Sequence, residues 1–515
     1  MGLRIRNLVL SISFWFLGSA AAVAWQSDRG DGTFHNPPLY ADYPDPDIIR
    51  VGREFYFATT TFANAPGLTI LTSEDLVNWA LASHVIPRLD GREQYDLKNG
   101  TAYRVGVFAP SLRYHDGTFY IAVTPVGQNT RIYFANAIQG PWRFHELNCA
   151  TFDPGLYLEP SGAAYIVTSG GWDGHVSLLT LNSDLSRVIA TRGIFYSQGV
   201  EGSKVVKRGD WYYVFNALPA KLALMCSRSR SLFGPYETIQ SLDDRSGGHQ
   251  GAIVDLPDGG WYGFVMRDCG AVGRMTFLSP IVWQNDWPIW GIAQAPGAVP
   301  AIARKPIGGG PIREPATSDE FDAPELGLQW QWNHNPDDSR WSLIERPGFL
   351  RLKPSIAPSF WLARNTLTQK GQGPRSRGEV KFDMTHLAVG DVCGFGTLGK
   401  VNGHIAVTRE SDGKLTLAMS VLEDAGPSET RVGGRPLTGT TLFLRTELDF
   451  IRNEGRCSYR DDGTPWTALG GSFPLKFDWR TGTFQGEQFA IFCYNPQASR
   501  GFVDVDWFRF TGNPQ

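Results

Sequence analysis

Cysteine is scarce in this chain, and its spacing argues against one class of site. Six cysteines are spread over 515 residues, and no two of them have the spacing of a metal-binding pair. Cys393 and Cys493 each lie in an apolar run, which predicts buried core thiols. The sequence alone indicates no disulfide pairing.

An excess of charge of one sign is also lacking. The 48 Lys and Arg residues nearly balance the 51 Asp and Glu residues, and the formal net charge is −3. No basic block stands out, which argues against a nucleic acid or an anionic membrane as the partner. A neutral substrate fits this balance, as would most others.

Long apolar runs are missing after the first 24 residues. Arg4 and Arg6 precede an apolar run over 8–17, and small residues follow as far as Ala24. This order is typical of a secretory signal, so we predict a signal peptide over 1–24 that is cleaved after Ala24. The alternative is an uncleaved anchor, but the run is too short to span a bilayer. We therefore expect a secreted or periplasmic protein with no membrane partner after cleavage.

Glycine and aromatic residues, by contrast, are abundant and recur in a pattern. The 58 Gly, 33 Pro, 17 Trp, 17 Tyr and 31 Phe favour an all-β chain with many turns. A strand end, a tight turn and an aromatic strand start recur five times, with the turn glycines at Gly52, Gly117, Gly162, Gly209 and Gly259. Their spacing is that of propeller blades. We predict a five-bladed β-propeller over 33–295, the alternative being ordinary hairpins stacked in a sandwich.

The remainder of the chain predicts a second domain. Residues 296–317 are rich in Pro and Gly and lack strand periodicity, as in a linker. Residues 318–515 contain many segments in which apolar and polar residues alternate, and this pattern favours a β-sandwich.

Acidic residues lie at matching positions upstream of the turns. Asp45, Asp153 and Glu201 precede their glycines by 7, 9 and 8 residues, and His249 precedes its glycine by 10. Innermost propeller strands converge on the axis, so acids from different blades can face each other across a funnel. Prolines on both sides of Asp45 restrict its backbone, and the apolar surroundings of Glu201 raise a carboxyl pKa as a general acid requires. For any single residue, the alternative is an exposed acid at a strand start.

The motifs around these acids resemble glycoside hydrolase family 43. The resemblance rests on YPDPDIIRVG at 43–52, APSLRYHDG at 109–117 and FDP at 152–154, and it continues through EGSK at 201–204, GHQG at 248–251 and WQNDWP at 283–288. SDEF at 318–321 and LQWQWNHNP at 328–336 resemble the sandwich of the β-xylosidase and α-L-arabinofuranosidase branch, which implies a concanavalin-like β-sandwich. The resemblance implies an inverting enzyme that acts on xylans or arabinans.

The resemblance also implies roles for individual residues. Asp45 would be the general base that activates water, Glu201 the general acid, and Asp153 the residue that orients Glu201 and tunes its pKa. Arg274 would hydrogen-bond sugar hydroxyls. His249 would lie beneath the sugar, where some relatives link such a histidine to a bound Ca²⁺ or to water. A structural Ca²⁺ is thus one expectation, and no cofactor is required for the reaction.

Two aromatic positions depart from the family pattern. Phe108 stands before Ala-Pro where a Trp is frequent, and Phe62 begins FANAPG where many β-xylosidases have a more aromatic segment. Both are candidate substrate-binding residues. The departures leave the carboxylates in place but weaken the prediction that the enzyme is strictly specific for xylosyl units.

We expect release of terminal β-D-xylosyl units from xylo-oligosaccharides or hemicellulose. The alternatives are α-L-arabinofuranosidase or bifunctional activity on arabino-oligosaccharides, a propeller that binds carbohydrate without catalysis, and a structural propeller that binds proteins. An endo-acting arabinanase is disfavoured because the resembling exo-acting branch uses its sandwich to narrow the pocket. We expect an aromatic from the segment 502–510 in that wall.

Overall fold

The computed structural model describes residues 25–170, 173–422, 428–498 and 500–514. The predicted signal peptide lies outside the described residues. Within them the chain is almost entirely β, and its helices are five single 3₁₀ turns, at Glu93–Asp96, Pro219–Lys221, Gly270–Val272, Asp338–Arg340 and Phe360–Leu362. None of the described helices has the length and apolar character needed to cross a membrane.

The first half of the chain forms five blades of antiparallel strands. The strands of each blade pair in chain order, and the fifth blade carries one extra strand. Blade 1 contains Asp47–Val51, Glu54–Thr59, Gly67–Ser73 and Ala80–Ile86; blade 2 contains Ser111–His115, Thr118–Val123, Arg131–Ala135 and Arg143–Glu146; blade 3 contains Gly155–Leu158, Ala164–Ser169, His175–Leu181 and Val188–Tyr196; blade 4 contains Glu201–Arg208, Trp211–Leu218, Ala223–Ser229 and Glu237–Leu242; blade 5 contains His249–Asp255, Trp261–Asp268, Arg274–Gln284, Trp287–Ile292 and Ala295–Pro296.

The recurring glycines explain why the sequence repeats. Each one lies in the turn between the first and second strands of a blade, and all five have φ between +56° and +88°, where a Cβ is unfavourable. The innermost strands contact one another in order, and that of blade 5 returns to that of blade 1. The predicted five-bladed propeller is therefore confirmed.

The two ends of the propeller are fastened to each other. Thr33–His35 pairs with Ile302–Arg304, a strand inside the segment predicted as a linker. The buried Lys305 ammonium bridges Asp28 at 2.5 Å and Asp75 at 3.0 Å. These contacts close the ring after the fifth blade.

The second half of the chain forms the predicted sandwich of two large sheets. The first contains, in spatial order, Thr430–Leu437, Leu415–Leu422, Asn402–Arg409, Val392–Leu398, Gln488–Asn495, Leu367–Lys370, Gln331–Asn333 and Asn64–Ala65, with Ser355–Ile356 beside Gln488–Asn495. The second contains Trp341–Ser342, Leu350–Leu352, Val503–Gly512, Arg375–Asp383, Thr441–Asp449, Glu454–Arg460 and Thr467–Ala468, with Phe473–Pro474 beside Glu454–Arg460. One apolar core, including Phe395, Leu444 and Phe508, fills the space between them.

One strand of the sandwich comes from the propeller. Asn64–Ala65 leaves blade 1 between its second and third strands and pairs with Gln331–Asn333. The Asn64 amide also donates to Gln488 Oε1 at 2.9 Å. The segment after Phe62, expected to shape the sugar pocket, therefore joins the two domains at Asn64 and Ala65.

Cys393 and Cys493 correct the expectation of free core thiols. Both are buried, as expected, but they lie opposite each other on paired strands and form a disulfide. Sequence could not reveal this pair because 100 residues separate the two cysteines.

Candidate active site

The three predicted catalytic acids lie at one end of the propeller axis. Asp45 and Asp153 each stand two residues before the innermost strand of their blade, and Glu201 begins the innermost strand of blade 4. His249 begins that of blade 5. The charge of Asp45 acts on Glu201 and on Asp153, and Glu201 acts on Asp153. The structure thus brings together the acids that the repeat had aligned.

Two of these acids are held in a strained backbone conformation. Asp45 has φ of +52° and Asp153 has φ of +44°, and both precede a proline. Left-handed backbone at a residue other than glycine costs about 1–3 kcal/mol and persists where the surroundings enforce it. The Thr59 hydroxyl donates to Pro44 O at 2.5 Å, and the Thr168 hydroxyl donates to Phe152 O at 2.6 Å. The neighbouring strands therefore fix the residue before each carboxylate.

The environments of the acids separate their titration. Burial, followed by the charge of Asp45, raises the pKa of Glu201 to about 7. Burial and then the charges of Glu201 and Asp45 raise the pKa of Asp153 well above its usual range, although the Gly202 N–H donates to its carboxylate. Repulsion inside such a group keeps a proton on it to higher pH than a lone carboxyl would hold.

Two cations, Arg274 and Lys204, act on Asp45, whereas Arg274 acts on Glu201 and Lys204 acts on Asp153. Burial raises the pKa of Asp45, but Arg274, Lys204 and His249 all act in the opposite direction. Lys204 is 1% exposed, and its ammonium donates to Pro110 O at 2.7 Å. These positive charges favour the ionised form of Asp45, whereas the neighbouring carboxylates favour the protonated forms of Asp153 and Glu201. Lys204 stood in the recognised motif, yet nothing in the sequence marked it as a buried axial cation.

Aromatic rings from both domains form one wall of the site. The Phe62 ring centroid lies 5.4 Å from that of Phe108 and 4.8 Å from that of Phe484. Phe62 is 1% exposed and supports the wall from behind, while Phe108 and Phe484 are partly exposed. The Arg274 guanidinium lies 4.6 Å from the Phe484 centroid and 3.3 Å from Asp268. The predicted substrate-binding arginine therefore belongs to this wall.

The source of the sandwich aromatic differs from the expectation. Residues in 502–510 pack inside the sandwich instead, with Phe508 against Trp330 and Phe510 against Phe489. Phe484 takes the expected position with a φ of +68°, and the next side chain, Gln485, donates to Thr61 O at 2.7 Å. Nothing local in the sequence marked Phe484, because only the folded interface brings it to Phe62.

His249 was the candidate for a link to a metal ion. It is 5% exposed, and its Nδ1 lies 2.9 Å from Gly247 O. Calcium prefers six to eight oxygen ligands. Over the part of the chain that the structure describes, no group of three or more His, Cys, Asp and Glu side chains is placed to hold a metal. The side chains around His249 therefore do not by themselves fit Ca²⁺, and we derive no step through it.

A propeller with three facing carboxylates, two cations and an aromatic wall defines a glycoside hydrolase. The model of glycosyl hydrolases family 43 matches residues 34–288. The model of the beta xylosidase C-terminal concanavalin A-like domain matches residues 318–511. The chain belongs to glycosyl hydrolases family 43, and it is a glycosidase.

Known proteins are similar over nearly the whole chain. A beta-xylosidase of Formosa agariphila is 29% identical over 96% of this chain and 93% of its own. A non-reducing end alpha-L-arabinofuranosidase of Bacteroides ovatus is 28% identical over 98% of both chains. A solved structure described as a bifunctional GH43-CE protein of Bacteroides eggerthii is 32% identical, with a TM-score of 0.86. That match covers 93% of this chain and 64% of the solved one.

Proposed function

We propose that this glycosidase releases terminal β-D-xylosyl units from xylo-oligosaccharides by a single displacement with inversion. The observation that carries the proposal is the contrast between Asp45, on which two cations act, and Glu201, whose pKa burial and Asp45 raise to about 7. One ionised and one protonated carboxyl group across the propeller axis is what inverting and retaining glycosidases both require. The choice of inversion rests on the resemblance of the motifs to those of the inverting family.

The steps follow from these protonation states. Asp45 accepts a proton from a water molecule as that water attacks the anomeric carbon. Glu201 donates its proton to the leaving oxygen as the glycosidic bond breaks. Asp153 orients Glu201 and tunes its pKa, and Arg274 donates to hydroxyls of the bound sugar. Water and carboxyl groups complete this balance, so we propose no cofactor for these steps.

Action at a chain end is supported by the position of the sandwich. Phe484 closes one side of the site against Phe62 and Phe108. A long polysaccharide that passes through an endo-acting site needs an open groove on both sides. A wall built by a second domain favours a pocket that accepts one terminal sugar.

An α-L-arabinofuranosidase is the second candidate. Two observations favour it. The chain is similar to the Bacteroides ovatus relative, and Asn64, in the segment where many β-xylosidases are more aromatic, contacts the sandwich instead of adding an aromatic ring to the pocket. Terminal xylosyl and arabinofuranosyl units present similar hydroxyl groups, so one pocket can serve both. A lectin or a protein-binding propeller has no need of three acidic side chains whose pKa values are shifted by their surroundings.

Hydrolysis of two aryl glycosides tests the proposal. We expect turnover of 4-nitrophenyl β-D-xyloside, and of 4-nitrophenyl α-L-arabinofuranoside at a lower or comparable kcat/KM. NMR of the xylose first released from 4-nitrophenyl β-D-xyloside should show the α anomer. The proposed glycosidase activity is contradicted if neither glycoside nor any linear or branched oligosaccharide is hydrolysed. A first-formed β anomer would show retention and would make Asp45 the nucleophile.

The pH dependence should follow the same two groups. Glu201 must be protonated to act, and its pKa is raised to about 7, so kcat/KM should fall as the pH rises through about 7. Asp45 must be ionised, and burial raises its pKa, so kcat/KM should also fall on the acidic side. A profile measured with xylobiose checks both limbs. Constant activity up to pH 9 would contradict the role of Glu201.

We also propose that the protein is exported. The basic start, the apolar run over 8–17 and the small residues up to Ala24 support this. Mass spectrometry of the mature protein purified from the native host would test it, because cleavage leaves Trp25 as the first residue.

A further inference from the structure

A buried carboxylate that the proposed reaction does not use lies three residues before Asp45. Asp42 is 3% exposed, and one of its oxygens accepts a hydrogen bond from the Arg274 N–H at 2.7 Å. Gly273 leaves room for this approach, because a Cβ there would lie 2.2 Å from the same oxygen. The backbone of the substrate-binding arginine is thus fastened to Asp42.

The other side of Asp42 faces the sandwich. Its second oxygen is buried without a side-chain partner. Burial raises the pKa of Asp42, while the charge of the partly buried Lys370 and the backbone N–H groups of Arg274 and Gly486 act in the opposite direction. Lys370 ends the strand Leu367–Lys370, and its ammonium lies 5.2 Å from the centroid of the Tyr43 ring. Asp42 therefore lies where the two domains meet.

The backbone around Asp42 is held from both domains. The Gly373 N–H of the sandwich donates to Tyr40 O at 2.8 Å, and the Tyr43 N–H donates to Arg274 O at 3.0 Å. The Glu487 N–H of the sandwich donates to Ala271 O at 3.0 Å. These bonds place the segment 40–45 between the sandwich and blade 5, with Asp42 bonded to the Arg274 backbone and three residues from Asp45.

We propose that Asp42 is a positioning residue through which the C-terminal sandwich holds Arg274 and Asp45 in their working arrangement, by the backbone hydrogen bonds on either side of it and by the charge of Lys370. The proposal rests on the proposed glycosidase function for its kinetic consequences. It assigns Asp42 no contact with the substrate. It makes the sandwich part of the support of the catalytic base as well as the source of Phe484.

The charges around the two residues fix the sign of one effect. Lys370 from the sandwich and Arg274 from blade 5 face Asp42. Arg274, Lys204, His249 and Asp42 face Asp45, which also interacts with Asp153 and Glu201. The Asp42 charge raises the pKa of Asp45. Removing that charge should therefore move the acidic limb of kcat/KM to lower pH.

Asp42→Asn and Asp42→Ala separate the effect of the Asp42 charge from that of its hydrogen-bond acceptor. Asn keeps an oxygen for the Arg274 N–H and removes the charge, so kcat/KM should stay within about fivefold while the acidic limb moves down. Ala also removes the acceptor, and a displacement of about 1 Å at the site can cost about 10²-fold. We expect Asp42→Ala to lose about 10- to 100-fold in kcat/KM, with a higher KM as Arg274 moves.

Lys370→Met and Arg364→Met complete the test. The charge of Lys370 lowers the pKa of Asp42, so Lys370→Met should favour protonated Asp42 and move the acidic limb in the same direction as Asp42→Asn. The double variant should move that limb no further than Asp42→Asn alone. Arg364 is the matched control, since it pairs across the same domain boundary with Asp96 at 3.2 Å, away from the acids. Its replacement should leave the limb unmoved.

Hydrogen exchange of the 270–276 peptide gives a readout that needs no activity. Protection should fall in Asp42→Ala and persist in Asp42→Asn. This inference alone would be overturned if the wild type is active and the Asp42 variants keep both the acidic limb of the kcat/KM profile and the hydrogen exchange of the 270–276 peptide. Losses of activity that only follow the loss of folded protein would overturn it as well. An inactive wild type would overturn the proposed function, and the exchange result would then decide the coupling by itself.

Discussion

Asp45→Asn should lower kcat for xylobiose by about 10³- to 10⁴-fold, the upper part of the range that a positioned general base contributes. The amide cannot accept the proton of the attacking water. Asparagine has nearly the volume of aspartate and tolerates left-handed backbone well, so the φ of +52° at this position survives the change. Steady-state kinetics on a folded sample, checked by circular dichroism, measure the loss of chemistry and not of structure.

Asp116→Asn provides the matched control for Asp45→Asn. Asp116 is an exposed aspartate with φ of +45° in the first turn of blade 2, far along the strand from the acids. Its replacement should leave kcat within about twofold, as for most surface substitutions. A comparable loss in both variants would show that the backbone conformation, and not the carboxylate of Asp45, limits activity.

Glu201→Gln should show a loss that depends on the leaving group. Release of a sugar from xylobiose needs a proton, so we expect kcat/KM to fall by about 10³-fold. The 4-nitrophenolate anion leaves without protonation, so the same variant should lose only about tenfold on the aryl xyloside. The ratio of the two losses identifies the general acid independently of the absolute rate. Removing the acid should also abolish the fall of activity near pH 7 for the aryl substrate.

Glu159→Gln is the control for Glu201→Gln. Glu159 follows the innermost strand of blade 3 and accepts a hydrogen bond from the Tyr212 hydroxyl at 2.7 Å. It is a partly buried glutamate of the same propeller at the opposite end of such a strand. Its replacement should affect both substrates equally. If Glu201→Gln lowers kcat/KM equally on xylobiose and on the aryl xyloside, Glu201 is not the general acid.

The propeller and its acids could be predicted because their signals are local. A blade turn needs a glycine, and the acids precede the turns at nearly constant distance, so the repeat alone placed Asp45, Asp153 and Glu201 on one face. Their shared environment then followed from the convergence of the innermost strands. The predicted rise in the pKa of Glu201 agrees with the burial and the nearby Asp45 charge seen in the fold.

The domain interface could not be predicted because its contacts are not local. Phe484 reaches Phe62 only through the packing of the sandwich on the propeller, and no alternation pattern marks a ring in a loop. Asp42 lies just outside the recognised motif and resembles any polar loop residue until Arg274 and Lys370 meet it. Asp47 lies inside the motif at 43–52, but its contacts were not predicted. It accepts hydrogen bonds from the Leu112 N–H and from Arg113, both at 2.9 Å, and so joins blades 1 and 2.

The small strand Asn64–Ala65 has a consequence for the order in which the enzyme is made. It is synthesised with the first blade, yet its partner Gln331–Asn333 leaves the ribosome only after all five blades, and Phe484 later still. The propeller can close its ring beforehand, but one wall of the site is then absent and one strand is unpaired. We therefore expect catalytic competence to arrive late in biogenesis, with the carboxyl-terminal strands, and not with the domain that carries the acids.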